Sequence, residues 1–461
     1  MAATFEKAKT YVFAATAIWD REVGGSNPLA PTKRSLGILD GRRFWWPFFS
    51  NLLDLRRSSG GKTVSAQIEA ASTSRFSRLS SVDALRGAAA LGVVLYHTVG
   101  PNARFGPRVL NWLAMPILPM IRFGYVGVFL FFVISGFCIH LSRAKAQVEN
   151  KPPISFTAFW KRRFRRLYPP YLIALILYLG ITAFTTKFQL TPFYIWDVIS
   201  HLLMLHNLDS RTVYSINGVF WTLAIEEQLY LAYFLLLFLR RRWGWQRTLA
   251  VCLLVRVLWF VASTAIRERY KLDIPISEGA ASHWFTWALG ALSVEAMFGL
   301  VKLPRWLYRG RLALTLLAAS VGLTFLLPKV EQFNGLIHDF LWLFLHPLWG
   351  LGFFILLNRF VLAESRWRAV LRTPALIKVL AAIGLFSYSL YLTHELVVME
   401  SYHFGFLGLS ELATAFLATT PACVVFAWVF FWFAERPYLN TPTTLREPQR
   451  ATPDAIATLD A

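Results

Sequence analysis

The chain has 461 residues, of which 56% are hydrophobic, 16% aromatic and only 16% charged, where a soluble domain carries about 25% charged residues. The formal net charge is +21, but the excess sits in connections between apolar stretches rather than on one soluble basic face, which argues for membrane topology and against nucleic acid as a partner. Cys138, Cys252 and Cys423 each fall inside an apolar run, so the sequence has neither a disulfide framework nor a cysteine metal site.

Residues 1–77 lack a continuous apolar core beside a basic start, so no cleavable signal is expected. The stretch is partly Pro/Gly/Ser-rich with an isolated aromatic patch at Phe44–Phe49, and is expected to be a disordered extension or a mis-assigned start of the reading frame. From Asp83 to Glu435, apolar stretches of roughly 17–22 residues, long enough to cross a bilayer as helices, alternate with short basic or polar connections. They predict an all-α integral membrane fold of about ten transmembrane helices, near 83–99, 122–142, 167–186, 218–239, 248–266, 283–300, 312–327, 338–357, 379–400 and 413–433. The segment Phe193–Leu205 is too short to cross and contains Asp197 and His201, which suits an interfacial or re-entrant helix on the outer side. Residues 78–440 form the membrane domain on this reading, and 441–461 a short cytoplasmic tail.

Lys and Arg in the connections set the orientation, because cytoplasmic loops are enriched in them. The second, fourth, sixth and eighth connections carry 8, 4, 4 and 5, and the others 3, 2, 3, 1 and 0. The alternation places both termini in the cytoplasm. The absence of a convincing internal repeat weighs mildly against many transporter folds.

Ionisable residues inside apolar helices are costly and therefore candidates for function, with structural pairing as the competing reading. Arg86 and His97 are eleven residues apart in the first span, so they share a helix face about 16 Å apart, with Asp83 near the same face. Arg162, Arg163, Arg165 and Arg166 lie just before the third span. Such a run anchors any cytoplasmic loop, yet guanidinium groups also bind phosphate in a bidentate way, and its density suits a pyrophosphate-bearing donor or, in competition, anionic lipid headgroups. Glu226 and Glu227 lie about 12 Å inside the fourth span. Thr222 shares a face with Glu226 by i, i+4 spacing, and Glu226 is a candidate to orient an imidazole from another helix; the competing account pairs a carboxylate with Arg256. In the ninth span, Tyr388, Tyr391 and His394 recur at i+3 as a polar stripe, which lines a cavity or seals a helix contact.

Taken in order, these clusters resemble acyltransferase family 3, whose members O-acylate bacterial surface glycans and other hydroxyl acceptors. The likeness covers 78–440: the stretch from Asp83 to His97, Phe129–Phe137 (FLFFVISGF), Arg162–Pro169, Phe220–Tyr230 (FWTLAIEEQLY), Phe386–His394 (FSYSLYLTH) and Glu435-Arg436-Pro437. Arg86 and His97 meet that family's Arg, ten residues, His spacing, and Arg163 and Arg166 its Arg-x-x-Arg. Thr222 stands where a Ser is usual, and a stand-alone member without a fused esterase-like domain after the last span is expected. The resemblance implies a multi-pass enzyme of the inner (plasma) membrane. It takes an acyl group, commonly acetyl, from cytosolic acyl-CoA to a carbohydrate or glycolipid acceptor, with membrane lipids as surroundings and no tightly bound cofactor or metal. His97, as general base or transient acyl carrier, with Arg86, Asp83 and Glu226, would be catalytic. Arg162, Arg163, Arg165 and Arg166 would hold the donor. Thr222, Glu227, Tyr388, Tyr391 and His394 would support the site or line the acceptor. A transporter or flippase is the rival class, and a membrane sensor or scaffold a third.

Overall fold

The computed structural model describes residues 79–99, 121–152, 154–185, 191–369, 373–401 and 411–439. The expected extension 1–77 and tail 441–461 lie outside them. Among the described residues every regular element is helical.

Helix α1 (Ser80–Val99) starts where the backbone N–H groups of Ser80 and Ser81 donate to Glu364, at 2.9 and 3.0 Å. The carboxylate thereby satisfies donors that a helix start leaves without intrahelical partners. A 3-10 turn (Gly124–Val126) leads into α2 (Gly127–Val148), followed by α3 (Phe156–Thr185) and the short α4 (Pro192–Leu202). At the start of α4, Thr191 Oγ1 accepts from the Tyr194 N–H at 3.2 Å and Pro192 occupies the first turn, both standard helix-start devices. Then come α5 (Trp221–Tyr270), α6 (Ala280–Met297), α7 (Gly310–Phe333) and α8 (Gly335–Ala369). Helices α9 (Ala375–Leu385) and α10 (Ser387–Ser401) meet at a sharp bend, and α11 (Glu411–Thr414) runs through a π turn (Ala415–Thr419) into α12 (Thr420–Phe430). A second π turn (Phe431–Glu435) closes the bundle.

Helix covers each of the ten stretches expected to span, and α4 forms where a short non-spanning helix was expected. Among the described residues six helices are long and apolar enough to cross a bilayer, seven if the α9–α10 pair, bent by 75°, is one broken span. The shortfall from ten has two physical sources. The 50 residues of α5 count once although two spans were read there, and they are two helical stretches joined at a break, where Gly244 has φ +76° and ψ 173°. The stretches matching α1 and α6 fall outside that set because they carry Asp83, Arg86 and His97, or His283 and Glu295, among their apolar residues. Protein rather than lipid surrounds α6, whose residues from Ser282 to Ala296 are all buried.

Close helix contact places α6 at the centre. Gly136 on α2 faces the Trp287 carbonyl and Gly290 on α6 faces the Val133 carbonyl, so closely that a Cβ at either position would collide with backbone. Small residues permit this approach, which dispersion then rewards. The same device joins α1 to α9, where Gly87 meets the Leu380 carbonyl and Gly384 the Asp83 carbonyl. Leu231, Leu235 and Phe238 on α5 point outward, as lipid-facing positions would.

The α5 break is held by one carboxylate. Glu295 Oε2 accepts from Arg240 Nη2 at 2.6 Å and from Trp245 Nε1 at 2.7 Å, on either side of Gly244, and Oε1 lies 3.1 Å from His140 Nε2. Glu295→Ala strips three donors of their acceptor and is expected to cost about 3 kcal/mol, read as a lowered thermal midpoint in detergent. An unchanged midpoint would show that the break is held by helix packing alone.

Candidate active site

Helices α1 and α10 bring two imidazoles together. His97 Nδ1 lies 3.0 Å from His394 Nε2, and His394 Nδ1 lies 3.1 and 2.9 Å from the backbone carbonyls of Leu390 and Tyr391. Beside them, Glu395 Oε1 stands 3.9 Å from His97 Nε2. Glu395 Oε2 accepts the Gly218 N–H at 2.8 Å, which ties α10 to the turn that opens α5. The His394 side chain is fully buried, whereas His97 keeps 26% and Glu395 17% of its side-chain surface. Of this trio, only His97 and Glu395 keep accessible side-chain surface. The π turn at Ala415–Thr419 abuts them, Thr420 Oγ1 lying 3.2 Å from Thr98 Oγ1; π turns recur at functional sites.

The tyrosine stripe on α10 leads from this trio to the arginines. Tyr391 Oη lies 2.8 Å from Thr222 Oγ1, and both hydroxyls reach the Val219 carbonyl, at 3.3 and 3.0 Å. Three residues earlier, Tyr388 Oη donates to the Leu167 carbonyl at 2.9 Å, next to Arg166. The sequence left open whether the stripe lines a cavity or seals a helix contact. Its hydrogen bonds seal α10 to α3 and α5, and its His394 end abuts the exposed imidazole.

The arginine run was expected in a connection. It forms instead the first turns of α3, because nothing breaks the helix before Pro169 and Pro170, which α3 contains. Helical spacing sorts the four residues: Arg163 and Arg166 are half-buried and Arg162 and Arg165 exposed. The inward pair shares a neighbourhood with Arg86, all three lying within electrostatic range of Cys138. Arg86 also makes a long ion pair with Asp83, Nη1 to Oδ1 3.9 Å. Three cations thus converge at the end of α1 opposite His97, a setting for an anionic group.

The structure does not bring Glu226 to an imidazole. Its Oε2 accepts from Tyr230 Oη at 2.9 Å and it bonds the Ser135 side chain, one turn from Thr222 toward the arginines. Glu227 lies beside it, within range of Arg163. The carboxylate that faces His97 is Glu395, which the residue pattern offered as an ionisable group next to His394 but which was passed over.

Arg256 is likewise no partner of these carboxylates. Its Nε donates to the Leu343 carbonyl and its Nη1 to the Ser282 carbonyl, both at 2.8 Å, with the guanidinium 4.7 Å from the Trp342 ring centre. Pro347 has no N–H to offer the carbonyl four residues before it, so Arg256 repairs α8 at its proline. Glu435, noted in sequence only as part of a motif, caps α10: its Oε2 accepts from the Ser389 N–H at 3.1 Å and Oγ at 2.6 Å.

Helix α4 and the following turn cover the Gly218 end of the site. Tyr171 and Tyr168 of α3 donate to the carbonyls of His201 and Leu202, each at 2.9 Å, and Asp197 Oδ1 accepts from Ser215 Oγ at 2.6 Å. In this loop, hydrogen bonds from Arg211 hold the Asp209 carboxyl below its usual range. Among the described residues, no group of three or more His, Cys, Asp or Glu could hold a metal ion.

Comparison with known proteins bears on this geometry. Residues 79–432 match the family model described as an acyltransferase domain. The peptidoglycan O-acetyltransferase OatA of Listeria monocytogenes is 32% identical over 183 residues, covering 36% of this chain and 26% of that protein. The O-acetyltransferase OatA of Staphylococcus aureus is 31% identical over 168 residues, 34% of this chain and 24% of that protein. The matched segment therefore spans about a quarter of either OatA. The acyltransferase MdmB of Streptomyces mycarofaciens is 24% identical over 348 residues, covering 70% of this chain and 80% of its own. No solved structure matches.

Proposed function

Since the chain belongs to acyltransferase family 3, and is an acyltransferase, we propose that it moves an acyl group, most simply acetyl, from cytosolic acyl-CoA to a hydroxyl of a carbohydrate-containing acceptor such as a cell-surface polysaccharide. The single observation that carries this reading is the partly exposed His97, backed by His394 and faced by Glu395, at the far end of α1 from Arg86, Arg163 and Arg166. On this reading the chain crosses the inner membrane about ten times with both termini in the cytoplasm. The loop charges support that topology, and so does the break at Gly244, which lets α5 serve as two spans; 50 residues at 1.5 Å would otherwise run about 75 Å.

Arg163 and Arg166 hold donor phosphates at the cytosolic mouth, and the pantetheine arm crosses the roughly 16 Å from Arg86 to His97. Neutral His97 then takes the acceptor hydroxyl's proton as its oxygen attacks the thioester carbonyl, or itself carries the acyl group between donor and acceptor. In the direct route the C–S bond breaks, CoA leaves as a thiolate, and the imidazolium formed at His97 returns its proton to that thiolate. In the covalent route His97 Nε2 displaces the thiolate, and the acceptor oxygen then takes the acyl group as the N–acyl bond breaks. The hydroxyl proton passes to the freed ring nitrogen and on to the thiolate. Carbohydrate as the acceptor class is supported by relatives named as acetyltransferases, one of them for peptidoglycan.

The test is free CoA release from acetyl-CoA by the full chain in proteoliposomes, with and without membrane and cell-wall glycan extracts. Release that depends on the extract is expected. Glycan movement across the bilayer without CoA release would overturn the reading in favour of a flippase. Mass spectrometry of surface glycans from a deletion strain, compared with the parent, identifies donor and acceptor together through the acyl mass that disappears.

A further inference from the structure

We propose that His394 is a positioning residue that fixes the tautomer of His97, placing its proton on Nδ1 and leaving Nε2 as the reacting atom. The inference rests on the reading of His97 as the residue that meets substrate. It follows from which atoms can donate. The carbonyl oxygens of Leu390 and Tyr391 only accept, so His394 Nδ1, 3.1 and 2.9 Å from them, carries the hydrogen. A neutral imidazole holds one N–H, so His394 Nε2 is bare. At 3.0 Å from that lone pair, His97 Nδ1 is the donor. By the same rule His97 Nε2 is bare, and it is the nitrogen that Glu395 faces.

At 3.9 Å, Glu395 Oε1 is too far to hydrogen-bond His97 Nε2. It stands near enough to stabilise the charge the ring acquires there, and its anchor on the Gly218 N–H holds it in place. A hydroxyl arriving at Nε2 breaks its O–H bond, an N–H bond forms at Nε2, and the positive charge appears beside the carboxylate. Burial keeps His394 fixed: the ring has no exposed surface, and its backbone carbonyl receives Cys423 Sγ at 3.7 Å. Sequence spacing gave no hint of this role, because the two histidines are 297 positions apart.

The test compares three substitutions at 394 and reads the tautomer directly. Gln can place an amide oxygen where Nε2 lies, so it keeps the acceptor; Asn reaches only the Nδ1 position, and Leu offers neither. His394→Leu and His394→Asn are expected to lower kcat about 10²–10⁴-fold, the upper figure being the scale of a wrong-tautomer defect in a serine protease's catalytic histidine. The KM for acetyl-CoA should stay within about threefold, since the arginines are untouched, and His394→Gln should recover most of the rate. Nitrogen-15 NMR of histidine-labelled full chain in lipid, with the His97 signal assigned by its loss in His97→Ala, should show an Nδ1–H ring. An Nε2–H ring in the unaltered protein, or equal rates for the Leu, Asn and Gln variants, overturns the proposal. These outcomes are separable from failure of the functional reading itself. If His97→Ala still transfers acyl groups, the reading of His97 falls; if His97→Ala is dead while His394→Leu turns over normally, only the role of His394 falls.

Discussion

His97→Ala is expected to lower acyl transfer by about 10³–10⁴-fold while leaving expression and thermal midpoint close to those of the unaltered protein. The magnitude is that of removing a positioned base from a proton-transfer step, at the upper end because the same residue must also return the proton to the leaving thiolate. The sparing of stability follows from exposure. With 26% of its side chain accessible and hydrogen bonds to His394 and the Val93 carbonyl, His97 contributes little packing, and the acceptor it vacates at His394 Nε2 is reachable by water through the opening. The defect should sit in kcat, because the arginines proposed to bind donor lie at the other end of α1. Single-turnover transfer from radiolabelled acetyl-CoA measures it, and a variant that retains a tenth or more of the rate removes His97 from both proposed roles.

What the sequence made legible was periodic or local. Apolar run length placed helix at each stretch expected to span, though six or seven of the described helices are long and apolar enough to cross, and helical spacing joined Arg86 to His97 and Thr222 to Glu226. What stayed hidden was held in contacts between distant segments. Glu226 satisfied every local criterion for the carboxylate beside an imidazole, and Glu395 satisfied the same ones; only the packing of α10 on α1 and the Gly218 turn decides between them. Arg256 looked like a counter-ion because charge was weighed and carbonyls were not: the group that needed it was the backbone oxygen orphaned by Pro347. The span count illustrates a different limit. Hydropathy identifies helices that face lipid, and α6, enclosed by protein along its length, is free to carry Glu295 for the clamp at Gly244.

The arginine run gives the second large effect, and its direction is set by helix geometry that composition could not supply. Because α3 is already helical at Phe156, Arg163 and Arg166 share its inward face with Arg86 nearby, and Arg162 and Arg165 face outward. If the inward pair holds the pyrophosphate of acyl-CoA, each guanidinium contributes charge-assisted hydrogen bonds of about 1.5–3 kcal/mol, and losing both should raise the KM for acetyl-CoA by about 10²–10⁴-fold. Arg163→Ala/Arg166→Ala is therefore expected to be nearly inactive at ordinary donor concentrations and to recover as donor is raised, the reverse of the His97→Ala pattern. Lysine at both positions should recover only part of the loss, because a point charge lacks the bidentate fork. Arg162→Ala/Arg165→Ala removes the same formal charge from the same helical turns and should change KM only a few-fold, through long-range attraction that salt screens. Steady-state CoA release at two ionic strengths distinguishes the cases. Equal losses from the inward and outward pairs would mean that the run acts as a diffuse membrane-surface anchor, and the donor site would have to be sought elsewhere.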